Sequence, residues 1–206
     1  MEAAEPSPRE SALAFTEGVR CGWLASDLIV WVKEHLVAVG RIGLPAGAPL
    51  TGVREAGAGV VTLAGPFSQR SGERVRTASH VPQLLATARD RVIDALRATV
   101  AAGESRFVNA ALYAGRVSRE RDASGTSRWV VWLSPDDNVS DQVLALFAAD
   151  ALTFPRDYEH DLCICEACGA VSFGANSTSR RGCLTHPYGS FDGKPSRDDR
   201  TSFART

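Results

Sequence analysis

What the chain lacks narrows its possible roles. Lysine is nearly absent: Lys33 and Lys194 stand alone among 23 basic residues, and arginine carries the rest. This reads as the codon bias of a GC-rich genome, and only weakly as a choice for bidentate recognition. Neither sign of charge is in excess. The formal net charge of −1 gives no overall electrostatic attraction to nucleic acid or an anionic membrane. Long apolar runs are missing: Leu28–Val32 falls far short of the roughly 20 residues a membrane-spanning helix needs. The opening residues, Met1-Glu2-Ala3-Ala4-Glu5-Pro6, lack the basic and apolar regions of a secretory signal. No G-x-S-x-G, phosphate-binding loop, dinucleotide fingerprint or kinase signature occurs. The glycines of residues 40–59 have neither the Lys-Ser/Thr nor the preceding strand that would hold phosphate. No internal repeat is visible. Cysteine is scarce, with Cys21 isolated and four others crowded between 163 and 183, which is not an even disulfide framework. A reducing, cytoplasmic compartment is the expectation.

What is present is ordinary globular composition, 44% hydrophobic and 23% charged, in a 206-residue chain long enough to bury a core. Residues 1–10 read as a disordered tail. Apolar residues recur at helical spacing from Ala12 to Val39, with a helix expected over 23–38 and Gly40 at its C′ position. Residues 44–59 read as a loop and Val60–Leu63 as a strand. Ser79 and Pro82 open a second helix whose stripe runs from Leu84 to Val100 and stops at Gly103, with Arg89, Asp90, Arg91, Asp94 and Arg97 on the wet face. Phe107–Val117 and Trp129–Leu133 read as strands of an antiparallel hairpin. The second is apolar on both faces and therefore central or covered. A third helix is expected over Ser140–Phe154, ended by Pro155. The fold class is thus α+β: about three helices on a small, mostly antiparallel sheet, with an α+β domain over 11–158, a C-terminal zinc module over 159–190 and a flexible tail over 191–206.

The chemistry gathers at Cys165-x2-Cys168-x14-Cys183-x2-His186. Two chelating pairs on either side of a loop can wrap a tetrahedral Zn²⁺, because a Cys-x2-Cys turn brings two sulfurs to one ion from a single knuckle. Gly169 and Gly182 permit the positive φ such knuckles demand. Pro187 argues against a helix after His186, and so against a finger that inserts into a DNA groove. The segment resembles a zinc-ribbon or zinc-knuckle module over the last quarter of the chain, with histidine last and an extra Cys163 as departures. Such modules bind nucleic acid, bind proteins or simply support a fold. A closed structural zinc site is the leading expectation. A catalytic zinc, with Glu166 inside the knuckle but no H-E-x-x-H or H-x-E…P-C-x-x-C pattern, and a metal-free thiol pair or iron site are the rivals. Arg180 and Arg181 could offset the net negative charge of a Cys₃His site.

Other residues carry weaker signals. Cys163 reads as a spare thiol, Cys21 as a small buried residue, His160 as a reserve ligand, and His35 and His80 as needing no role. Asp136-Asp137 reads as a turn before a helix, and Asp157, Glu159 and Asp161 as a solvated connector. Trp129 and Trp132 fall on opposite strand faces, so one of them is a candidate interface anchor. The tail after Asn176 has six cations against three carboxylates, and Arg180, Arg181, Lys194 and Arg197 are nucleic-acid candidates interleaved with aromatics. The expected function is a non-enzymatic intracellular regulatory or adaptor protein acting through protein–protein interaction. Its alternatives are a nucleic-acid-associated regulator and an enzyme with an unrecognised site.

Overall fold

Ser7-Pro8-Arg9-Glu10 starts a helix where a tail was expected. In the computed structural model, which describes residues 5–42, 53–56, 60–63, 81–103, 105–121, 125–133, 137–174 and 183, helix α1 spans Pro8–Arg20. The Glu10 amide donates to Ser7 Oγ at 3.2 Å and the Ser7 amide donates to Glu10 Oε2 at 2.7 Å. This capping box, with proline in the first turn, satisfies amides that a helix start leaves orphaned. Gly22 in the left-handed region (φ +89°) ends the segment.

The expected helix over 23–38 is three pieces: α2 (Ala25–Trp31), a π-helical turn (Val32–Leu36) and α3 (Val37–Val39). Gly18 on α1 lets Trp23 lie against that helix, since a Cβ there would sit 1.8 Å from the indole. Phe15, Trp23 and Trp31 then form an aromatic cluster with centroids 5.1–6.3 Å apart. Gly40 is not a left-handed cap. It is extended (φ −88°) and opens strand β1 (Gly40–Ile42), where a Cβ would meet Leu133 at 2.6 Å.

Strands β2 (Val53–Ala56) and β3 (Val60–Leu63) pair antiparallel, so the expected loop of residues 44–59 contains a strand. Helix α4 spans Val81–Ala102 with Leu85, Ala88, Val92, Ile93 and Leu96 buried, and Gly103 follows it with φ +67°. Ser79 and His80 lie outside the described residues. The predicted first strand of the hairpin is another correction: Arg106–Tyr113 is helix α5, with Phe107, Val108 and Ala111 buried. Its Phe and Val favour strands locally, but packing against a neighbouring helix overrides that preference. Strand β4 (Val117–Arg121) follows and pairs antiparallel with β5 (Ser127–Leu133), as the hairpin predicts. β1 pairs parallel to the other side of β5, so the sheet order is β1-β5-β4 and the doubly apolar strand is central.

Helix α6 spans Val139–Thr153, capped by Asn138, whose side chain accepts from the Asp141 amide at 3.0 Å. It is buried nearly all round, touching α1, α4, α5 and β5, and a helix apolar on every side must be a core element. The six α-helices among the described residues correct the expected three, and the α+β class holds. The segment read as a solvated connector is a π-helical turn, Asp157–Asp161. It leads to the antiparallel pair β6 (Leu162–Ile164) and β7 (Val171–Phe173). No described helix is long and apolar enough to cross a membrane.

Charges tie the start of α1 to the end of α6 and the π-helical turn after it. Arg9 Nε donates to Asp150 Oδ2 at 2.7 Å and its Nη2 to Asp157 Oδ2 at 2.6 Å, while Tyr158 Oη donates to Asp150 at 2.9 Å. The Arg9 guanidinium also stacks 4.3 Å above Phe173. Asp150 is 2% exposed, and burial raises its carboxyl pKa against the pull of Arg9 and Tyr158. Removing Arg9 therefore leaves a buried carboxylate with one neutral donor. Arg9→Met is expected to destabilise the fold by about 3 kcal/mol, the low end for breaking a buried pair, because Arg9 keeps some contact with water. Urea denaturation of the variant against the parent measures it, and an unchanged midpoint would refute the role given to this pair.

Candidate metal centre

β6 and β7 exist to form one tight turn. Their ladder pairs Leu162 with Phe173 and Ile164 with Val171, then closes over the Cys165–Ala170 knuckle. The Cys165 amide donates to the Ala170 carbonyl at 2.9 Å, and the Gly169 amide returns to the Cys165 carbonyl at 2.8 Å. Gly169 has φ +65°, the left-handed conformation expected of it. Leu162 and Ile164 are buried in the common core beside α4, and Phe173 lies 5.0 Å from Tyr158. The knuckle therefore sits on the α-helical body, not on a free arm.

The turn brings together three of the four residues that the spacing singles out. The sulfurs of Cys165, Cys168 and Cys183 all lie within 4.8 Å of one another, so this group could hold a metal ion. Cys165 is buried, and Cys168 and Cys183 are half-buried. The Cys168 and Cys183 sulfurs are 3.7 Å apart, far beyond the roughly 2.05 Å of a disulfide. Burial pushes the Cys168 thiol up, opposed by the Ala170 amide and reinforced by the Cys165 and Cys183 thiols. A shared cation is the change that would most favour three thiolates in that setting.

His186, the expected fourth ligand, and Gly182 lie outside the described residues. So do Arg180, Arg181, Lys194 and Arg197, the nucleic-acid candidates. Cys163 is buried on β6 with its sulfur 3.4 Å from the Asp161 carbonyl, apart from the three clustered thiols. His160 is exposed, 3.8 Å from Glu159, and does not join the cluster. Glu166 is exposed on the knuckle. Cys21 is a correction: it is the exposed C-cap of α1, its sulfur 3.5 Å from Glu17 Oε1, because the helix ends there and turns its last residue to solvent.

Two arginines at the knuckle were assigned to the wet face of α4. Arg89 donates through Nη2 to the Cys168 and Gly169 carbonyls at 2.8 and 2.9 Å, and through Nε to the Thr16 carbonyl of α1 at 3.0 Å. Arg97 reaches the Cys165 carbonyl at 3.4 Å. The available signal was positional: Arg89 falls between Leu85 and Ile93 at four-residue steps, and both of those are buried. An arginine in an apolar row needs acceptors, and here they are knuckle carbonyls.

Trp129 and Trp132 are both half-buried. Trp132 Nε1 donates to Ser118 Oγ at 2.8 Å, and Trp129 packs against the core edge. Beside Trp129 runs a groove of about 370 Å³, lined by Pro6, Val39, Gly40, Arg128 and Val130 among others. The chain matches no protein-family model and no curated protein.

Thiol accessibility tests the cluster. With metal bound, Cys21 is expected to alkylate quickly and Cys168 and Cys183 slowly; a chelator should make the latter two react at least tenfold faster. Mass spectrometry of the labelled peptides reads each rate. Equal rates with and without chelator would count against a metal at these sulfurs.

Proposed function

We propose that the protein is a non-enzymatic regulatory or adaptor protein, acting inside the cell through protein–protein contact, whose cysteine site carries a structural Zn²⁺ held by Cys165, Cys168, Cys183 and His186. The sulfur spacing supports zinc. Zn–S bonds of about 2.3 Å in a tetrahedron put two sulfurs about 3.8 Å apart, against the 3.7 Å between Cys168 and Cys183. The ligand set is closed by protein groups, which leaves no position for a reacting water. Zinc would supply folding energy here, since the C-terminal segment has few apolar anchors of its own.

The observation that carries the protein-contact reading is the edge of β5 beside Trp129. β1 pairs only with residues 131–133 of β5. The Trp132 amide donates to the Arg116 carbonyl at 2.8 Å, which fixes the phase of the antiparallel ladder. By alternation, the backbone N–H and C=O of Trp129 then turn away from β4, toward the groove. Among the described residues no strand covers this part of β5. An extended segment of another protein entering there would continue the line of β1, the strand-addition mode of recognition. The half-buried Trp129 would serve as its apolar contact.

A photo-crosslinking residue at Arg128, which lines the groove, tests this against one at Tyr113, which is 97% exposed on α5. The expected result in living cells is a discrete protein adduct at position 128 and none at 113, unaffected by nuclease. Adducts at neither position, or a nuclease-sensitive adduct, would contradict it.

A further inference from the structure

Arg89 is a half-buried cation without a close carboxylate. Its side chain is 12% exposed, yet all three of its close acceptors are backbone carbonyls, those of Thr16, Cys168 and Gly169. Carbonyls satisfy N–H donors but carry no net charge. Among the described residues, the carboxylate within ion-pair range is Asp90, at 3.9 Å and 72% exposed, a contact that water screens heavily. Glu17 is nearby but is already engaged by Arg20. A guanidinium held out of water in this way calls for a compensating charge close at hand.

One of the carbonyls that Arg89 grips belongs to Cys168, a member of the cysteine cluster, and the other to Gly169 beside it. Three thiolates around a dication, with a neutral histidine, have a formal charge of about −1. We propose that Arg89 is the counter-ion of this metal–thiolate cluster, so that the site is built for a ligand set of net negative charge. The inference rests on the metal-site reading above and adds to it the residue that sets cluster affinity. Arg89 also reaches Thr16, so the same side chain joins the knuckle to the C-terminal half of α1. The fixed fork of a guanidinium serves both at once. Gly169 also leaves room for this contact, since a Cβ there would stand 3.0 Å from Arg89 Nη2.

The test is competition for Zn²⁺ against a chromophoric chelator, with the full chain, comparing the parent, Arg89→Gln and Arg89→Lys, and with Arg121→Gln, exposed at the end of β4, as a control. Removing an outer partner of a metal site weakens binding by about 10–100-fold. That is the expected loss for Arg89→Gln, while Arg89→Lys, which keeps the charge, stays within a few-fold of the parent and Arg121→Gln matches it. Parent-like affinity in Arg89→Gln would overturn the inference. So would an equal loss in Arg89→Lys, which would make Arg89 a geometric strut without a charge role. Should Arg89→Gln fail to fold by circular dichroism, Arg89→Lys decides alone: retained affinity supports the counter-ion and lost affinity overturns it. A parent chain that takes up no Zn²⁺ would refute the metal site itself, an outcome distinct from any of these.

Discussion

Burial of α6 on all sides is the constraint from which the remaining architecture follows. A helix carrying Val143, Leu146, Phe147 and Ala148 at or near zero exposure must be enclosed, and α1, α4, α5 and β5 are what enclose it. The few polar groups it buries are met by fixed partners. Asp150 is met by Arg9 and Tyr158, and Gln142 Nε2 donates to Asp137 at 2.9 Å. Asp137 in turn accepts from Arg116 at 2.7 Å, fastening the start of α6 to the end of α5. The chain therefore leaves α6 at one defined place, against the first turn of α1.

That exit point explains why the cysteine knuckle sits where it does. β6 runs from the π-helical turn straight into the core beside α4, and the Cys165–Ala170 turn projects from it over Arg89. α1 and α4 meet there, so one arginine contacts both and the knuckle closes their junction. A cation at the three sulfurs would fasten sequence-distant segments, with Cys183 drawn back to a turn formed before residue 170. On the proposed reading, a metal there would stabilise a corner of the fold and leave the β5 edge beside Trp129 for contact with a partner.

The sequence made some of this legible and hid the rest for identifiable reasons. The cysteine spacing, the left-handed Gly169 and the central, doubly apolar β5 could be read because each follows from local chemistry or strict alternation. Helix α6 was visible from Val143, Leu144, Phe147, Ala151 and Leu152 at helical spacing, with Pro155 to end it. Helix α1 was hidden by its acidic, proline-bearing start, although Ser7 and Glu10 are a capping box in plain order. Helix α5 was hidden because Phe107, Val108 and Tyr113 have strand preferences that packing on α6 overrules. The role of Arg89 could not be read from α4 alone, since its acceptors come from α1 and from a turn some 80 residues away. Long-range contact, not composition, gives that residue its meaning.

The central claim is that one Zn²⁺ is held by the sulfurs of Cys165, Cys168 and Cys183 with the imidazole of His186. Zinc X-ray absorption spectroscopy on the purified full chain tests it most directly, because the first coordination shell reports ligand type and distance together. The account predicts three sulfurs at about 2.3 Å and one nitrogen at about 2.0–2.1 Å. A shell dominated by oxygen, or one with two sulfurs or fewer, would contradict it.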